Sequence, residues 1–143
     1  MKKKEHTVKI LLVKFAEGGF HLFLNLKVDG KKCRFLIDTG ASKSVIDKKY
    51  FEENFGGKNL KTIQQETAGL HSSTPESHFG KITTIELGHH QIKNYVIAAV
   101  DLSHVNMVYR KLRKPKIQGI LGSDLMLEYK MIVNYGDLKI TLP

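Results

Sequence analysis

A single cysteine, Cys33, stands among 143 residues, so no intrachain disulfide can form. Cys33 lies in a stretch that leads toward Asp38, and that place predicts a buried thiol. A catalytic thiol needs an activating neighbour, and the sequence offers none. Long apolar runs are missing too. The longest are far too short to cross a bilayer, so no membrane partner is expected. Lys2, Lys3 and Lys4 supply the charge of a signal peptide. Glu5, His6, Lys9 and Lys14 then interrupt the apolar region such a peptide needs, and no small-residue cleavage site follows. A cytoplasmic protein is the expectation.

Acidic side chains are scarce. There are 14 Asp and Glu against 23 Lys and Arg, for a net charge of +9. The basic charge gathers at Lys2-Lys3-Lys4 and at Arg110-Lys111-Leu112-Arg113-Lys114-Pro115-Lys116. No aromatic-interleaved basic stripe and no known nucleic-acid module accompanies these runs. A solvated tail and a solvated loop are expected, rather than a nucleic-acid partner. The histidines form no metal signature. His89-His90 falls in a turn, His71 and His78 fall in a loop, and none makes an i, i+4 helical pair with a third ligand. No metal or cofactor is expected.

What is present suits one domain over residues 1–143, long enough to bury a core unaided. The hydrophobic fraction of 41% and the lack of biased tracts point to a globular chain. Val8 to Phe15 is β-prone, and Glu17-Gly18-Gly19 ends it. Leu22, Leu24, Leu26 and Val28 then alternate with His21, Asn25 and Lys27, with Phe23 the apolar exception. That is the period of a half-buried strand. Asp29-Gly30 predicts a hairpin into a strand over Lys32–Ile37. Ser44-Val45-Ile46-Asp47 resembles a capping box, and Val45, Ile46, Phe51 and Phe55 recur at helical spacing until Gly56-Gly57. Gln64 to Gly80 is small, polar and poor in core residues, and reads as a long functional loop. Strands are expected over Ile82–Leu87, Ile92–Val100, Lys116–Leu121, Met131–Tyr135 and Leu138–Leu142. Val105, Val108 and Leu112 hint at a short helix, and Ser123 can cap another through Glu128. The fold class is mostly β, with two or three short helices.

Chemistry concentrates at Phe35-Leu36-Ile37-Asp38-Thr39-Gly40-Ala41-Ser42. An apolar strand runs straight into an acidic, glycine-containing turn. A carboxylate there must be satisfied by hydrogen bonds or put to chemical use. Carboxylate-driven peptide hydrolysis needs two such groups side by side, one protonated and one ionised. Adjacent carboxylates cannot both ionise easily, a behaviour for which aspartic proteases are the standard illustration. Ser42 and Ser44 lack a base at recognisable spacing, so a serine hydrolase is not expected. Asp124, at a helix start, reads as N-terminal charge stabilisation rather than a second catalytic group.

The acidic motif resembles that of the retropepsin-like aspartic proteases. The family's second element, two apolar residues and a glycine before a short helix, is matched by Ile120-Leu121-Gly122. The resemblance covers nearly the whole chain. It is nearer to bacterial members, which carry a helix after the acidic motif, than to compact viral ones. It implies a single-lobe closed β-barrel and an aspartic endopeptidase acting on peptide or protein substrates. With one motif per chain, it implies a homodimer with both Asp38 residues at the axis. Asp38, Thr39 and Gly40 would be catalytic. Ala41, Ser42, Gly69, Leu70, Ile120, Leu121 and Gly122 would bind substrate or back the loop. Thr67–Ser77 would be the flap. The chain ends would form the dimer interface, with the N-terminal strand and Lys139–Leu142 as edge candidates. A non-catalytic peptide-binding domain of the same fold is the rival reading.

Overall fold

A computed structural model of the chain describes residues 5–56, 60–63 and 77–143. Its strands are β1 (His6–Lys9), β2 (Leu11–Lys14), β3 (Phe20–Val28), β4 (Lys31–Ile37), β5 (Val45–Asp47), β6 (Leu60–Ile63), β7 (Ser77–Leu87), β8 (His90–Val100), β9 (Gly119–Leu121), β10 (Ile132–Asn134) and β11 (Lys139–Leu142). The helices are α1 (Lys48–Phe55), α2 (Ser103–Lys111) and α3 (Ser123–Glu128). No described helix is long and apolar enough to cross a membrane.

Six strands close a barrel in the order β3-β4-β9-β5-β8-β7. The β3–β7 pairing shuts the ring through Lys27↔Glu86 and Val28↔Ile85. The alternation on β3 sends Leu22, Leu24, Leu26 and Val28 into the barrel core, where Cys33, Phe35 and Ile37 of β4 meet them. Phe23 points the other way yet is also buried. It packs with Leu102, Tyr109 and Ile117 in a second cluster, because α2 covers the outer face of the sheet there. That explains the one break in the sequence pattern. The Asp29-Gly30 hairpin forms as expected, with φ of 45° and 81° at its two central residues. The Cys33 thiol is buried, 3.1 Å from the Tyr50 hydroxyl. Burial pushes it above its ordinary range, so it is a poor nucleophile.

Several boundaries differ from the sequence reading. The first β segment is split at Ile10, where the chain leaves one sheet for another and the Ile10 amide donates to Leu138 O at 2.9 Å. Ser44 does not cap α1. Val45–Asp47 instead pair with β8 and β9, as their β-branched pair favours, and Asp47 is the cap, accepting from Tyr50 N at 3.1 Å. Ser123 is the first residue of α3 rather than its side-chain cap. The expected loop ends early, since Ser77–Gly80 belong to β7 and pair with β6, a strand not foreseen. Its middle, 64–76, with Gly69, Leu70 and nearly all of the expected flap, lies outside the described residues.

The terminal strands form their own sheet in the order β1-β11-β10. Lys139–Leu142 is therefore the centre of that sheet and has no free edge, contrary to expectation. The open edges belong to β1 and β10.

Close packing between the paired strands β4 and β9 is testable at Gly119. A Cβ there would lie 2.3–2.6 Å from the Phe35 ring, whereas one at Gly19 would meet nothing within 4 Å. Gly119→Ala should cost about 1–3 kcal/mol in urea denaturation. Gly19→Ala should leave the midpoint nearly unchanged.

Candidate active site

The acidic motif sits on the connection from β4 to β5. These two strands are not neighbours, because β9 passes between them, parallel to β4 and antiparallel to β5. The loop is thus draped over the end of β9, and backbone bonds tie the two together. Asp38 N donates to Leu121 O at 3.0 Å, and Ser123 N donates to Ala41 O at 2.8 Å. Gly122 lies directly beneath. A Cβ on it would come within 2.7 Å of Ala41 O and 2.8 Å of the Lys43 carbonyl carbon. Its φ of −101° suits any residue, so space rather than torsion requires glycine here.

Asp38 is half-buried while Thr39 and Gly40 are exposed. Its Oδ1 accepts from Gly40 N at 3.0 Å, and a Cβ on Gly40 would stand 3.3 Å from that same oxygen. Gly40 therefore lets the backbone come close to the carboxylate. Beside Asp38 is a cavity of about 260 Å³, lined also by Phe20, His21, Leu36 and Tyr135. Tyr109 closes in from α2 and shares a 2.8 Å hydrogen bond with His21 Nδ1. Burial, and then the nearby Asp38 charge, push the Tyr109 phenol up, so it keeps its proton at neutral pH.

The remaining expected residues divide by position. Ala41 is half-buried and Ser42 exposed on the loop itself. Ile120 packs into the second cluster, beside Leu36. Leu121 is 1% exposed within the barrel core, and Gly122 is buried under the loop. Both back the loop instead of lining a cleft. His21, Tyr109 and Tyr135 carry no motif, and only the fold brings them to Asp38.

Ser44 and Asp124 prove central to the loop. The Ser44 hydroxyl accepts from Gly122 N at 2.8 Å and donates to Asp124 Oδ1 at 2.7 Å, while Ser44 N donates to the same oxygen at 2.9 Å. Tyr95 donates its hydroxyl to Asp124 Oδ2. Asp124 thus does more than the helix-charge role read from sequence. Burial pushes its carboxyl up, but the bonds from Tyr95, Ser44 and the Leu125 amide outweigh burial and hold it below its ordinary 3.8.

Comparisons with known proteins agree with this fold. A family model described as aspartyl protease matches residues 24–125. No curated protein matches the chain in sequence. A retropepsin-like aspartic protease from Rickettsia conorii is similar in structure, with a TM-score of 0.57 at 18% identity over 99% of this chain and 96% of that one. The retroviral protease-like domain of Ddi1 from Leishmania major superposes with a TM-score of 0.55 at 13% identity, over 86% of this chain and 94% of that one.

Asp124→Ala should strand Ser44 and Tyr95 and destabilise the protein by about 2–4 kcal/mol at neutral pH. A group with a lowered folded-state value stabilises above its unfolded value and loses that effect as pH falls through the folded one. The gap between wild type and Asp124→Ala should therefore be constant above pH 3.8 and shrink below it, read by denaturant titration across the range.

Proposed function

The chain belongs to the aspartyl protease family, and from that premise we propose that it is an endopeptidase whose active site is completed by a second copy of itself. The carrying observation is the presentation of Asp38. One half-buried carboxylate, with Gly40 N–H against it, is held at the end of β4 by the strand that passes beneath. The sequence contains one such motif. A second Asp38 must come from a partner chain, brought up across a two-fold axis.

Side by side, the two carboxylates would share one proton. The ionised one would take a proton from water as that water attacks the scissile carbonyl. The protonated one would donate toward the carbonyl oxygen. Gly40 would hold the carboxylate orientation, and the exposed Thr39 hydroxyl would brace the facing loop. Leu36, half-buried and lining the same cavity as Asp38, offers apolar surface next to the motif, suited to a substrate side chain.

The edge of β10 supports the same reading. Tyr135, just past β10, lines the cavity that Asp38 lines, so this edge runs close to the required axis. Ile132 on β10 is 61% exposed and Tyr135 is 68% exposed, which suits burial against a second chain. Pairing of β10 with its copy would extend the terminal sheet across the dimer.

Asp38→Asn should lower kcat/KM on peptide substrates roughly 100- to 10,000-fold without loss of stability. Activity equal to wild type would remove Asp38 from the mechanism. Peptide binding with no cleavage by the wild type would assign the cleft to a binding domain instead. Ile132→Lys should shift the mass in solution from dimer toward monomer. Specific activity should fall with it and become dependent on protein concentration. A wild-type enzyme fully active as a monomer would end the dimeric account.

A further inference from the structure

The basic run that ends α2 and continues past it is solvated, as expected, but it is held in a defined shape. Asn106 pins it, accepting from Ile117 N at 2.8 Å and donating to Ile117 O at 3.0 Å. Lys114 N donates to Tyr109 O at 2.7 Å. Arg113 holds a φ of 57°, a conformation that costs energy for a non-glycine residue and persists because both flanks are fixed. The result is a concave surface of about 830 Å³. Arg110, Arg113, Lys114 and Lys116 line it, with Lys49 of α1 facing them.

Two carboxylates share this surface against five cations, and each already accepts from the backbone. Asp47 accepts from Tyr50 N at 3.1 Å and Leu102 N at 3.0 Å, and Asp101 accepts from Ser103 N at 2.8 Å. Among the described residues, none of the four cations from the run has an ion-pair partner. Clustered like charges repel one another, and an anionic ligand would relieve that repulsion.

The surface also connects to the acidic site. Lys114 Nζ lies 5.9 Å from the centre of the Phe15 ring, which packs 4.3 Å from the His21 ring. His21 bonds Tyr109, the tyrosine that senses the Asp38 charge. Few side chains separate the cations from the candidate catalytic carboxylate. An extended chain lying across Asp38 would leave the cleft within reach of them.

We propose that this surface receives an acidic segment of the substrate polypeptide flanking the cleaved bond, so that the enzyme prefers substrates with Asp and Glu near the scissile site. The proposal rests on the peptidase reading above and adds a substrate class to it. Exposed charge pairs are individually weak, but several acting together should change affinity about tenfold.

The test uses paired fluorogenic peptides that share one cleavable core and differ only in flanking Asp/Glu or Asn/Gln. The acidic member should show about tenfold higher kcat/KM, mostly through KM, and the preference should fade as salt rises. The triple variant Arg110→Gln, Arg113→Asn, Lys116→Gln should lose the preference and cleave the neutral peptide as wild type does. Equal cleavage of both peptides by wild type, or a preference that survives the triple variant, overturns the proposal. Binding of the same labelled peptides to Asp38→Asn protein separates the two claims. Tighter binding of the acidic peptide with no cleavage by wild type sinks the peptidase reading and keeps the basic surface as a binding site. Equal binding sinks the surface. An oligonucleotide of matched charge that binds more tightly than the acidic peptide also overturns the proposal, in favour of nucleic acid.

Discussion

The acidic loop depends on the buried Ser44 hydroxyl. It accepts from the Gly122 amide and donates to Asp124, so one small side chain joins the loop, the end of β9 and the start of α3. In a barrel interior an unpaired hydroxyl or amide is costly, and here each group satisfies another. Tyr95 extends the network to β8 through Asp124. Gly122 completes the arrangement by steric means, since its missing Cβ leaves room for the Ala41 and Lys43 backbone. The candidate catalytic carboxylate is therefore positioned from below, by Ser44, Gly122 and Asp124.

That support explains how an exposed turn can hold a defined shape. Thr39 and Gly40 face solvent, and nothing in the chain packs over them from above among the described residues. Their order comes from Asp38 N on Leu121 O and Ser123 N on Ala41 O. A site built in this way leaves its upper face open among the described residues. Ile132 of β10 and Tyr135 just past it are exposed, and Tyr135 lines the cavity beside Asp38. On another flank, α2 seals the outer face of the sheet with Tyr109 and carries the basic run beyond it.

Much of the barrel was legible because local rules decide it. The Leu22–Val28 alternation, the Asp29-Gly30 turn and the apolar approach to Asp38 each state their structure within a few residues. Errors fell where distant partners decide. Val45 and Ile46 fit helical spacing on paper, but β8 and β9 offer them ladder bonds, and the strand wins. Lys139–Leu142 looks like an edge as the last apolar segment, yet two strands pair with it from either side. Asp124 reads as an ordinary helix-start carboxylate until Ser44 and Tyr95 arrive from 80 and 29 residues away.

The sequence by itself determined the presence of the acidic motif, its glycine, the second apolar-glycine element and their single occurrence. Those are covalent facts, and the proposed reaction class and the proposed partner both start from them. Only the tertiary structure decided what surrounds Asp38. His21 and Tyr135 line the cavity beside it, Tyr109 bonds His21, and hydrogen bonds to Asn106 and Tyr109 hold the solvated basic run in a concave shape. The physical reason is that a carboxylate's surroundings are set by strand pairing and helix packing between residues far apart in the chain, which no local spacing encodes.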